Sequence, residues 1–149
     1  MRKMFVSLGL LALASAAASA PAGKGISGHW RLDLAHSNYG KAAPKSGEVT
    51  LTDDGTALAF ATKSVGPDGK PNAQSGRDPY GHTVPMKDGS GTRLIRRLGP
   101  TAVTRTFLYR NGDSLNDTCR VAGSVMTCAG TRVIHGKRVA TKIVYNRIG

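Results

Sequence analysis

The side chains able to do acid–base or nucleophilic chemistry are few in this chain, and their spacing assembles no familiar reaction centre. Glu48 is the only glutamate. Asp53, Asp54, Asp68, Asp113 and Asp117 fall mostly in or beside turns, where a carboxylate serves the backbone. His29, His36, His82 and His135 lack metal-ligand spacing, so no metal site is assigned. No G-x-S-x-G elbow, phosphate-binding loop or paired-cysteine zinc pattern occurs. Gly23 to Gly28 formally spells G-x-G-x-x-G, but no strand pattern precedes it and no helical pattern follows. Residues 21–27 therefore read as a flexible lead-in, not a dinucleotide site. No catalytic residue and no cofactor is assigned, and binding without catalysis is the expected class.

The two cysteines take their meaning from the N-terminus. Arg2 and Lys3 precede an apolar run from Met4 to Leu13, and Ala18-Ser19-Ala20 offers small residues for cleavage, the three parts of a secretory signal. The run is too short to span a bilayer and no stop-transfer pattern follows. Residues 1–20 are thus expected to be a signal peptide, with the protein periplasmic or secreted and not membrane-spanning. Export permits a disulfide. If Gly123-Ser124 forms a type II′ turn, counting outward places Cys119 opposite Cys128 in a non-hydrogen-bonded pair, where two backbones approach closely.

Removing twenty of the 149 residues leaves enough chain for one domain. The formal charge of +12 falls only to +10 when Arg2 and Lys3 leave. Such a balance suits an anionic partner such as a lipid surface, polysaccharide or carboxylate ligand. The basic residues are scattered, with Arg96-Arg97 and Lys137-Arg138 as doublets, and no nucleic-acid motif accompanies them. Nucleic acid is not an expected partner.

The elements that would position any site are strands. Trp30, Leu32 and Leu34 alternate with Arg31 and Asp33, and Val49 and Leu51 alternate with polar neighbours. Residues 36–46 lack periodicity and read as a loop. Further strands are expected at 58–65, 72–75, 82–86, 92–98, 102–110, on both sides of Gly123-Ser124 as far as Ile134, and at 138–147. Pro85 confines its strand to an edge. Turns fall at Asp53-Asp54-Gly55, Pro67-Asp68-Gly69 and His135-Gly136, and Asn111-Gly112 predicts a two-residue type I′ hairpin. No segment of residues 21–149 combines helical periodicity with caps. The pattern predicts an all-β sandwich or a closed antiparallel meander barrel over residues 28–149.

Four stretches sharpen that choice: Gly28-His29-Trp30-Arg31-Leu32-Asp33 with Ser37, Val49 to Gly55, Gly66 to Pro71, and Val144-Tyr145-Asn146-Arg147. Together they resemble bacterial exported lipocalin-like proteins of unknown function, small barrels belonging with the calycins. The resemblance implies a meander β-barrel of roughly eight or more short strands. It also implies that Trp30 closes one barrel end with Arg147 packed across it, a structural pair. The chain departs from the fatty-acid-binding branch, because no helical lid pattern follows the first strand. Ile143, not arginine, stands two residues before Tyr145, so that branch's Arg-x-Tyr carboxylate grip is missing and a fatty-acid-carrier function does not transfer.

Two weak ligand-binding candidates remain, Arg96 and Tyr145. Arg96 lies between Leu94 and Leu98 on a row that could face the interior, where a buried guanidinium needs a carboxylate or phosphate partner. The preferred alternative is that Arg93, Ile95 and Arg97 define the register, or that a bulge carries Arg96 outward, because small barrels can fill themselves with side chains. Ala57, Ala59 and Ala61 share one face and would leave space if directed inward. Two functions follow. One is a barrel binding a small anionic or amphipathic ligand; the alternative is a basic envelope module with a filled core, contacting anionic lipid, polysaccharide or protein. An arginine-lined void would favour the first.

Overall fold

The computed structural model describes residues 25–41 and 43–149. The expected signal peptide over residues 1–20, and the lead-in as far as residue 24, lie outside the described residues. Ten strands follow in order: β1 (Gly28–Asn38), β2 (Ser46–Asp53), β3 (Ala57–Val65), β4 (Pro71–Pro79), β5 (Thr83–Pro85), β6 (Gly91–Gly99), β7 (Ala102–Tyr109), β8 (Ser114–Ala122), β9 (Val125–Ile134) and β10 (Lys137–Arg147). Each pairs antiparallel with its sequence neighbour, except that β4 and β5 do not pair, while β1 pairs with β10. The meander therefore curls into a nearly closed barrel whose one seam lies between β4 and β5. Period-two alternation along each strand puts one side-chain row inside and one outside. Pro85 sits on the edge strand β5, where its missing N–H is harmless.

One barrel end is closed around Trp30, which is fully buried. The Arg147 guanidinium lies 4.0 Å over the indole. It also donates to the carbonyls of Ser27 and Gly25 at 2.7 and 2.8 Å, while the Trp30 indole N–H donates to the Ile26 carbonyl at 3.0 Å. Gly28 is required here, since a Cβ would collide with the Arg147 guanidinium. Residues 25–27, read as part of a flexible lead-in, are instead built into this plug. Ile26 is 1% exposed, and its N–H donates to the Pro100 carbonyl at 2.8 Å. Burial of one isoleucine and capture of two carbonyls by a single guanidinium explain the difference.

Cys119 and Cys128 face each other across β8 and β9 and are joined in a disulfide, with Cα atoms 3.9 Å apart. Gly123, with φ at 60°, occupies the first position of the intervening two-residue turn. Other local expectations change. β1 runs to Asn38 through a bulge after Asp33, so Leu34 leaves the inner row and is 40% exposed. The bulge is held by the Asp33 carboxylate, which accepts from the His36 N–H and the Asn146 amide. The Asn111-Gly112 turn is not type I′. Only Gly112 has positive φ, the Gly112 N–H donates to the Tyr109 carbonyl and the Tyr109 N–H to the Asp113 carbonyl. That is a type I turn with a glycine bulge, stabilised by the Asn111 side chain accepting from the Asp113 N–H.

Candidate functional site

The inner rows of β6, β7, β8 and β10 carry more than apolar packing. On β6 the inner row is Arg93 and Ile95, 8% and 4% exposed, continuing to Arg97. Arg96, the sequence candidate, is exposed on the outer row opposite Thr104, so the register corrects its expected interior position. An unpaired guanidinium gains from water outside, whereas Arg93 has a carboxylate inside. The alanine row does not open space in the barrel: Ala57 is buried at 1% exposure, but Ala59 and Ala61 are on the row opposite the cavity-lining side chains. Leu58, Phe60 and Thr62 face in, and Ala61 is exposed.

Arg93 reaches across the open seam to Asp78 on β4. Its Nη2 donates to Oδ1 at 2.9 Å and its Nε to Oδ2, a bidentate pair with side chains 10% and 2% exposed. The guanidinium also lies 4.7 Å over the Phe60 ring. Gly76 makes this approach possible: a Cβ there would meet both Phe60 and Arg93 at 2.9 Å. Arg105, on the inner row of β7, makes a second bidentate pair. Its Nε and Nη2 donate to the two oxygens of Asp117 on β8 at 2.8 and 2.6 Å. The Asp117 side chain has no exposure and that of Arg105 has 22%. Burial works against the Arg105 charge, but the Asp117 hydrogen bond and charge outweigh it and raise its pKa. Gly130, directly opposite Asp117, allows β8 to approach closely: a Cβ there would collide with the Asn116 carbonyl and meet the Asp117 Cβ at 2.7 Å. A third inner pair, Arg97 with Asp53 at 2.9 Å, lies at the plugged end, where the Tyr80 hydroxyl donates to Asp53 at 3.0 Å.

Between these groups is a cavity of about 230 Å³. Ile95, Phe60, Phe107, Met126 and the disulfide's Cys119 supply apolar walls, while Arg93, Arg105, Tyr109 and Tyr145 supply polar groups. Met86, Asp88 and Ser90, from the β5–β6 turn, line it beside the seam. Phe60, Gln74, Met86, Asp88 and Arg93 also border a groove on the seam itself, so cavity and seam adjoin. Tyr145, the other sequence candidate, lies on the cavity wall. Burial pushes its hydroxyl above the usual tyrosine range, as it does for Tyr109, so both are neutral phenols able to donate or accept. Asp117, Cys119 and Cys128 offer ligand atoms within 4.8 Å of one another. With both sulfurs in the disulfide and the carboxylate on Arg105, this group supplies no thiolate for a metal.

Sequence reasoning did not assign Arg105, Asp117 and Asp78 to this site. Arg105 carried a signal, since it interrupts the inner row of Val103, Phe107 and Tyr109 and so required a buried partner. Asp117, read with the turn carboxylates, is instead in the middle of β8.

No protein-family model and no curated protein sequence matches this chain. Solved structures do match its fold. Secretory abundant heat soluble protein 4 from Ramazzottius varieornatus aligns with a TM-score of 0.63 at 14% identity, over 88% of this chain and 100% of that one. As-p18, an extracellular fatty acid binding protein, aligns at 0.57 and 13%, over 82% and 95%. A point mutant of the fluorescent protein UnaG gives the same four figures. At such identities the likeness establishes the fold, a nearly closed antiparallel barrel of the lipocalin and fatty-acid-binding type.

Proposed function

We propose that this protein is an exported, non-catalytic binding protein that takes a small amphipathic molecule into its barrel. The observation that carries the reading is the interior cavity of about 230 Å³, in which apolar walls surround a few convergent polar groups. A filled core would have favoured the envelope-contact alternative. Structural neighbours that include an extracellular fatty acid binding protein agree with a binding role. The signal-like first twenty residues support export, and N-terminal sequencing of the protein from its own cells is expected to begin at Pro21.

Native mass spectrometry of protein purified from its own cells tests the binding reading. A retained small molecule is expected in the native barrel. Thr62→Trp, which fills the cavity from β3, is expected to abolish the added mass while urea unfolding shows the barrel intact. Arg96→Ala, on the outer row, is expected to leave it in place. Repeated ligand-free spectra, together with no binding from an organic extract of the same cells, would refute the reading.

A further inference from the structure

We infer that the cavity selects an uncharged, compact molecule bearing a hydroxyl or carbonyl oxygen and discriminates against carboxylates. This rests on the interior-binding reading above and names the ligand class for that site.

The cavity is lined by two cations, Arg93 and Arg105, and two anions, Asp78 and Asp88. Each arginine is already committed, Arg93 to Asp78 and Arg105 to Asp117 directly behind it, both through bidentate contacts. Asp88 adds a further negative charge beside the seam. Hydrogen bonds from the Ser90 hydroxyl and N–H hold its carboxyl below the usual range and hence ionised. Arg132, on the inward row of β9, does not line the cavity. The lining charges sum to zero, and Asp117 behind the wall is offset by Arg132, whose charge reaches Tyr109, so the environment is close to neutral despite the strongly basic chain. A carboxylate entering it would lose its hydration without meeting an unpaired cation among the lining side chains.

Hydrogen-bonding capacity nevertheless remains. Nε and Nη2 of each arginine are used by the aspartates, and Nη1 of each makes no protein hydrogen bond among the described residues. Tyr109 and Tyr145 add neutral phenols to the same wall. Neutralised guanidinium donors and phenols suit an oxygen that carries no formal charge. Size points the same way. A cavity of roughly 150 Å³ accommodates benzene, so about 230 Å³ corresponds to about ten non-hydrogen atoms. Four aromatic side chains in the walls, Phe60, Phe107, Tyr109 and Tyr145, favour a flat one.

Isothermal titration calorimetry near neutral pH, on protein with its disulfide intact, tests this with two matched pairs: 4-methylphenol against benzoate, and 1-octanol against octanoate. The neutral member of each pair is expected to bind at least tenfold more tightly. Equal affinity, or preference for the anion, would overturn the charge inference while leaving interior binding in place. Binding of none of the four would overturn the interior-binding reading, and this inference with it. Asp117→Asn is expected to release the Arg105 charge and shift the methylphenol-to-benzoate ratio at least tenfold toward the anion. Asp78→Asn does the same through Arg93 and substitutes if the first variant does not fold. An unchanged ratio in a folded variant would show that the aspartates do not set selectivity.

Discussion

The Arg93–Asp78 pair bridges the only break in the barrel's ladder among the described residues, and a double-mutant cycle measures what it contributes. Asp78→Asn preserves shape but leaves a guanidinium that is 10% exposed without its counter-charge, and Arg93→Met leaves a carboxylate that is 2% exposed. Removing one partner of a buried pair costs about 3–5 kcal/mol. With the β6 arginine bordering a water-accessible cavity, about 3 kcal/mol is expected for each single variant. The double variant leaves no orphaned charge. It still loses the contact over Phe60, about 0.5–2 kcal/mol, and some packing, so it should cost about 3 kcal/mol and not the additive ~6. Urea unfolding followed through Trp30, the only tryptophan and fully buried, gives each value from one probe. Hydrogen exchange should show the β4 amides opening faster in the single variants, because no backbone ladder secures that edge. Additive costs, or single variants within about 1 kcal/mol of the native protein, would refute the view that this pair holds the seam.

Two further outcomes follow from the plugged end and the tyrosines. Arg147→Met removes the contact over Trp30 and two charge-assisted hydrogen bonds, for an expected loss of about 3 kcal/mol by urea unfolding. Arg147→Lys should recover less than half, because an ammonium cannot fork to both carbonyls while stacking. All four tyrosines, Tyr39, Tyr80, Tyr109 and Tyr145, are held above the usual range, chiefly by burial. Their folded pKa values exceed the unfolded value near ~10, so the stability they contribute is complete below that pH and lost as pH rises through the folded values. Ultraviolet titration should therefore show phenolate forming at higher pH in the folded chain than in urea; coincident curves would contradict this.

The Asn111-Gly112 hairpin shows how close the site was to being legible. A two-residue turn there pairs Arg105 with Thr118. The observed bulge adds one residue and pairs Arg105 with Asp117. One residue of register decides whether an inward arginine finds a carboxylate or a hydroxyl. On β6, Leu94-Arg96-Leu98 and Arg93-Ile95-Arg97 are both acceptable rows by alternation. Asp78, fifteen residues upstream of Arg93 and on the far side of the seam, is what favours the second inside. Because that partner lies across unpaired strands, no hairpin count reaches it.

What the amino-acid order determined unaided was local: strands from period-two alternation, turns from Gly, Pro, Asn and Asp, and the Cys119–Cys128 partnership from nine residues of separation around one turn. Such features depend on neighbours that the chain itself places side by side. Only the tertiary structure decided that two buried arginines are neutralised, that Phe60 and Thr62 and not Ala59 and Ala61 line the interior, and that a cavity remains between the walls. Those outcomes depend on side chains brought together from separate strands, where the cost of burying a charge, not the pattern along any one strand, selects the arrangement.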